Sequence, residues 1–280
     1  MDFIDVWNVD SYPADAVALL QAQAEVIASY IATENEIFRE YDRGRRKSRP
    51  LFRPSNPFYD EHAALTCEVD HALRPHSIRG FHYTRLTDGE VARMRSDGII
   101  LSDPDFLRQR LTCAVSDGLI SSEVAGLLFD GSPLMKGQHA NRAGMFWLVS
   151  HPQEVNDGGV TSLLGHWGGE VTYMYVKDRD LISALRGIGQ PRIVEVIAPL
   201  EATGHVFRAA EAVMKAFAVS LGCVARETGF DFHLVEPAGP ESILAIHTLG
   251  EPEFDNMGAS YPTAFPGEDP DYWFKLTGER

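Results

Sequence analysis

Cysteine is scarce. The three residues, Cys67, Cys113 and Cys223, lie far apart with no CxxC spacing. An odd, scattered set excludes a disulfide framework and suits a reducing compartment, so the expected location is cytoplasmic. Long apolar runs are also missing, and the opening Met1-Asp2-Phe3-Ile4-Asp5 has neither a basic n-region nor an apolar h-region. No membrane association is expected. Positive charge is the third shortage: 25 Lys and Arg stand against 40 Asp and Glu, a formal net charge of −15. Such a field repels phosphate backbones, so a nucleic acid would need a local basic patch. The one dense patch, Arg43 to Arg49, reads as a solvated loop. There is no Walker loop, GxGxxG, HExxH, GxSxG or kinase signature set, which removes the commonest enzyme signatures.

With 280 residues the chain is long enough to bury a large core as one domain, with or without an appendage. From Ala14 to about Tyr41, Ala, Leu, Ile and Glu dominate, apolar residues recur with helical period, and no interior Pro or Gly intervenes. Ser11 or Asp15 is the expected cap. Residues 1–76 are read as an N-terminal helical appendage, 77–250 as a mixed α and β domain, and 251–280 as an irregular tail in which Tyr272-Trp273-Phe274 packs down. Within the middle region strands are expected at Gly80–Arg85, Ala143–Val149, Val171–Val176, Arg192–Ile197, Phe230–Val235 and Ile243–Leu249. Helices are expected at Asp88–Ser96, Asp103–Val115, Ser121–Phe129 and Phe207–Leu221, with a short helical stretch ending at Leu164. Short strands without regular strand–helix alternation point to an α+β fold.

Three constellations carry chemistry. In Phe81-His82-Tyr83-Thr84-Arg85-Leu86 an imidazole and a hydroxyl lie two positions apart, on one face of a strand, and a short amphipathic helix follows, ending at Gly98. Next comes an aromatic strand with Phe146 and Trp147, then Trp167-Gly168-Gly169-Glu170, where two glycines allow close backbone approach and set a carboxylate beside an indole. The third is Asp231-Phe232-His233-Leu234-Val235-Glu236, followed by Pro240-Glu241-Ser242-Ile243. A separate group, His62, Cys67, His71 and His76, includes one pair at helical-turn spacing. Its other spacings break a shared face, so no metal site is assigned.

In order, the three constellations resemble the ADP-ribosyltransferase fold of the diphtheria-toxin-like, His-Tyr-Glu class, over about residues 79–250. The resemblance implies two small packed sheets with an NAD cleft between them and cleavage of the nicotinamide glycosidic bond, with transfer of ADP-ribose to an acceptor. It implies that His82 holds the adenine-side ribose and Thr84 helps position the nicotinamide half, with Tyr83, Arg85 and Trp167 in the cofactor-binding set. Phe146 or Trp147 stacks on the pyridinium, and Glu170, Asp231 or Glu236 supplies the carboxylate. Two departures stand out: the second strand lacks the family's tyrosine, and on the closing strand the family's spacing lands near Asp231 or His233 and not on a glutamate, the nearest being Glu236 at the strand's end. NAD is thus the expected substrate, and an acidic chain favours a protein or small-molecule acceptor over nucleic acid. Bacterial proteins of this type are often toxins or defence effectors. The alternative is a non-catalytic NAD-binding or protein-interaction module. A third reading, transfer of a 2′-phosphate from RNA, would use Arg79, Arg85, Arg93 and Arg95 around the phosphate.

Overall fold

The computed structural model describes residues 3–38, 41, 51–137, 141–204, 208–225 and 229–259. The basic stretch from Arg43 to Arg49 and the aromatic Tyr272-Trp273-Phe274 lie outside the described residues. The architecture is α+β, as the short, irregularly spaced strands imply. The chain divides into two compact units.

The first unit is helical and takes in Met1–Ile78 together with Val206–Phe230. It contains α1 (Ala14–Ala22), α2 (Ala24–Ile37), α3 (Tyr59–Leu73) and α10 (Ala209–Ser220). The single long N-terminal helix expected from the sequence is two helices. Gln23, at φ −114 and ψ 17, leaves helical backbone, and the axis turns by 66°. Neither Ser11 nor Asp15 caps α1; the N-cap position is Pro13, which offers no side-chain bond. The helix α10 packs against α2 and α3, burying Val213, Met214 and Phe217 in the same unit as Ile27, Leu65 and Val69. The appendage is therefore not confined to 1–76, because it also takes in the alanine-rich helix that the sequence places inside the mixed domain. Among the described residues no single helix is long and apolar enough to cross a membrane.

The second unit comprises Arg79–His205 and Asp231–Tyr261. Its strands are β1 (Ser77–Leu86, begun in the first unit), β2 (Phe146–Val149), β3 (Gln190–Pro199), β4 (Thr203–Gly204), β5 (Asp231–Leu234) and β6 (Ile243–Thr248). The expected pair of packed sheets is not what forms: hydrogen bonding joins all six in one sheet, ordered β4-β5-β2-β1-β3-β6. The join is narrow. The antiparallel strands β2 and β5 pair over four positions, Phe146 opposite Leu234 through Val149 opposite Asp231. Antiparallel β1 and β2 meet at one position, Phe81 opposite Val149. The sheet thus has a waist between its halves, where an open sheet would carry a full ladder.

Local signals place the helices around this sheet. Thr87 and Glu90 close a capping box that starts α4 (Asp88–Asp97). Asp103, with Pro104 at the first helical position, starts α5 (Pro104–Ser116). Ser121 caps α6 (Ser122–Gly131) and Asp157 caps α7 (Gly158–Gly165). Val160 and Leu164 of α7 pack with Phe81 and Tyr83 of β1, Ile193 of β3, and Phe254 of the short α11 (Pro252–Asp255). A second apolar cluster joins Leu107 and Leu111 of α5, Leu128 of α6, Trp167, and Leu185 of α9 (Arg179–Gly187). The expected strand at Val171–Val176 is instead the short helix α8 (Glu170–Tyr173) and a turn. Its alternation is misleading because Gly168 and Gly169, both at positive φ, turn the chain, and the Thr172 hydroxyl holds that turn by donating to the Trp167 and Gly169 carbonyls.

Gly98 ends α4 at φ +84, and a Cβ there would stand 2.1 Å from the Ala238 carbonyl oxygen. The close approach is fixed by paired backbone bonds between Ile99 and Ala238. Gly98→Ala meets both left-handed backbone and a backbone clash, so it is expected to cost about 2 kcal/mol or more. Urea denaturation measures this, and a loss under about 0.5 kcal/mol, the scatter of ordinary surface changes, would contradict the assignment.

Candidate functional site

The second unit holds a cavity of about 690 Å³, within the size range of ligand pockets. Its lining includes Phe81 and Val149, the pair at the waist of the sheet, and residues from strands far apart in sequence: His82 and Thr84 from β1, Phe146 and Trp147 from β2, and Asp231 from β5. Tyr83 and Glu170 also line it.

Strand alternation separates these residues into two sets. His82 and Thr84 occupy one face of β1, while Phe81 and Tyr83 occupy the other, and the Phe81–Val149 register puts Phe146 with the former and Trp147 with the latter. The His82 imidazole accordingly meets the Phe146 ring, centroids 4.2 Å apart. Trp147 meets His233 at 4.5 Å, and Asp231, opposite Val149, lies on the Trp147 side. The two candidate stacking residues therefore lie on opposite faces of β2, and both line the cavity.

His82 is half-buried, and its Nδ1 lies 2.8 Å from the Trp147 carbonyl oxygen. A carbonyl only accepts, so Nδ1 carries the proton and, in the neutral ring, Nε2 keeps its lone pair. Burial pushes the imidazole down to about 4, against the Trp147 carbonyl, which favours the charged form; Arg110 lowers it further. At neutral pH the free nitrogen of His82 is therefore an acceptor. Tyr83 is buried and fully used: its hydroxyl donates to the Gln153 carbonyl at 2.8 Å and accepts from the Gln153 amide at 2.6 Å. Burial raises the Tyr83 phenol well above its ordinary value.

The remaining candidates are distributed unevenly. The Arg85 guanidinium is spent on backbone, donating to the carbonyls of Ile188, Leu164 and Gly189, and is not among the cavity's lining residues. Trp167 is buried behind the wall, although Gly168 and Gly169 beside it do line the cavity. Glu236 is exposed beyond the end of β5 and away from the cavity. Of the three carboxylates, Asp231 and Glu170 remain at the site. The arginine cluster expected for a 2′-phosphate does not assemble, since Arg79 pairs with Glu195 at 2.7 Å and, of the four, only Arg93 lines the cavity. Among the described residues no group of three His, Cys, Asp or Glu is placed to hold a metal ion. His62 instead stacks on Tyr30, ring centroids 3.7 Å apart, and Cys67 is exposed.

Three residues that sequence reading did not single out shape the site. Glu90, 8 % exposed, accepts from Arg110 Nε at 2.7 Å, from Trp167 Nε1 at 2.8 Å and from the Thr87 amide at 2.8 Å. Burial works to raise its carboxyl, but Arg110, the Thr87 amide and the indole hold it below the usual carboxylate value. Arg110 also lies over the Trp167 ring at 5.1 Å. The Thr87-x-x-Glu90 spacing is a legible capping-box signal; that the same carboxylate would reach Arg110 and Trp167 is not legible. Arg142, the third, pairs with Glu170 at 2.5 Å.

No family model matches this chain, and neither the curated proteins nor the solved structures contain a match to it.

Two outcomes follow from these charges. Glu90→Gln leaves Arg110 buried without its counter-charge and should lose about 3 kcal/mol in urea denaturation; a loss under about 1 kcal/mol would show that the cluster is not structural. His82 binds protons less readily folded, at about 4, than at the ordinary 6.5, so its contribution to stability is full above pH 6.5 and is lost as pH falls toward 4. His82→Gln should make the acid limb of stability against pH shallower, and an unchanged slope would refute the neutral assignment.

Proposed function

We propose that the cavity of the second unit binds NAD and that the protein cleaves the nicotinamide glycosidic bond, passing ADP-ribose to a protein or small-molecule acceptor. One observation carries this reading: His82 and Thr84, Phe146 and Trp147, and Asp231, taken from three separate strands, line one cavity. That is the convergence the family resemblance requires of its three motifs. His82 Nε2 accepts from a ribose hydroxyl, and an aromatic of β2 stacks on the pyridinium. Asp231 lies against the nicotinamide-side ribose. As the C1′–N bond breaks, its electron pair leaves with nicotinamide, positive charge builds on the ribose, and the carboxylate stabilises it. The acceptor's nucleophile then bonds to C1′ and loses its proton to solvent. Three free thiols fit a reducing compartment, so we place the protein in the cytoplasm, in the manner of a toxin or defence effector.

One observation favours the rival, a module that binds NAD without cleaving it: the acid at the start of β5 is aspartate, one methylene shorter than the family's glutamate. Two measurements separate the readings. NAD at about a hundredfold over its dissociation constant should raise apparent stability by roughly 2.7 kcal/mol, and nicotinamide should be released. Asp231→Asn should lower that release by about a hundredfold or more while leaving NAD affinity within a few-fold. Stabilisation without release would favour the module, and no stabilisation with no release would end both.

A further inference from the structure

The cavity is lined by three arginines, Arg93, Arg110 and Arg142, and they are not equivalent. Arg110 is neutralised by the buried Glu90, with Nε and Nη2 both 2.7 Å from Oε1 although Nη2 makes no hydrogen bond among the described residues, and is covered by the Trp167 ring. Arg93 is exposed on α4, and its guanidinium meets the Cys113 sulfur at 3.8 Å. Arg142 is the unusual one. Its side chain is 17 % exposed, yet among the described residues its only oxygen partner is Glu170, through Nη1. Nη2 meets a weak acceptor, the Met174 sulfur at 3.6 Å, and Nε is out of solvent with no acceptor at all. A guanidinium has five N–H donors in a planar fork that suits two anionic oxygens, and withdrawing one from water leaves its unmet donors uncompensated. Arg142 is therefore desolvated but under-bonded at the wall of a ligand-sized cavity.

Its partner is placed to give way. Glu170 is 37 % exposed at the start of the four-residue α8, on a turn fixed by Gly168, Gly169 and Thr172. Swinging its carboxylate into water costs little, because the carboxylate is already partly hydrated, whereas Arg142 has no such exit.

Resting on the NAD reading, we infer that Arg142 is the receptor for the ligand's pyrophosphate and that Glu170 is the counter-ion this anion displaces. Glu170 then keeps Arg142 compensated while the site is empty and takes no part in bond cleavage, which leaves Asp231 as the carboxylate at the ribose. Both residues are positioning groups for the anionic middle of the substrate. The chemistry recognised is a diphosphate, whether free or within a dinucleotide.

Isothermal titration of NAD, ADP-ribose, inorganic pyrophosphate and nicotinamide riboside into the full chain tests this. Arg142→Ala should weaken NAD and ADP-ribose binding at least tenfold and leave the phosphate-free nicotinamide riboside within twofold. Glu170→Gln, at a partly exposed position and expected to fold normally, should tighten NAD and ADP-ribose several-fold because the competing carboxylate has lost its charge. Equal loss of NAD and nicotinamide riboside in Arg142→Ala would overturn the assignment, as would weaker binding in Glu170→Gln. Should the wild type bind pyrophosphate through Arg142 but neither NAD nor ADP-ribose, the anion receptor stands and the dinucleotide reading falls. If none of the anions binds, the receptor falls.

Discussion

The buried carboxylate of Glu90 is the constraint on which the second unit turns. It sits in the first turn of α4, yet its oxygens also bind Arg110 of α5 and the indole that precedes the double-glycine turn. Those elements are far apart in sequence and all contribute to the cavity wall. A carboxylate this deep is tolerable only with its charge matched and its lone pairs filled, and here both conditions hold. Such a cluster need not stabilise more than a well-packed apolar group of the same volume would. What it adds is position: a directional acceptor fixes where α4, α5 and the Trp167 turn lie relative to the end of β1. Apolar packing of Leu107 and Leu111 alone would leave that placement looser.

The waist in the sheet is the second constraint. In a fully paired sheet both edges of β2 would be occupied by ladders. Here β2 is paired along β5 but joined to β1 at one position, and the Trp147 carbonyl on that side accepts from the His82 side chain. The imidazole thus satisfies a backbone group beside the gap while fixing its own tautomer. Its low proton affinity follows from the same burial. One contact thus fixes the tautomer, and the burial that accompanies it keeps the ring neutral.

Much of this was legible beforehand, and the misses have physical reasons. The run Phe81–Leu86 and the amphipathic segment that ends at Gly98 suffice to place β1 and α4, because alternation and a terminal glycine point the same way. Local pattern shows the strands that carry Phe146, Trp147 and Asp231, but only the family resemblance nominates these residues on them. The Val171–Val176 alternation misled because strand propensity was weighed without the hydroxyl that clamps the preceding turn. Nothing in the sequence marks a break in the N-terminal helix, because Gln23 carries no breaker signal. Trp167 and Arg85 looked like ligand contacts, since an indole beside two glycines and an arginine after the motif have the right chemistry. Their actual partners, Glu90 and three carbonyls, are contacts across 77 to 104 positions of chain that no local pattern reveals. The single sheet was missed for a related reason: strand order depends on pairings between segments distant in sequence.

The waist also depends on a residue with no side chain. A Cβ at Gly80 would stand 2.6 Å from the Phe232 ring and 3.1 Å from Leu148 Cβ. Its absence leaves room for Phe232 of β5 to reach across β2 to β1, beside the one position where β1 and β2 pair. A side chain at position 80 would meet both neighbours, so the buried seat of Phe232 and the close approach of the two halves of the sheet both rest on glycine here.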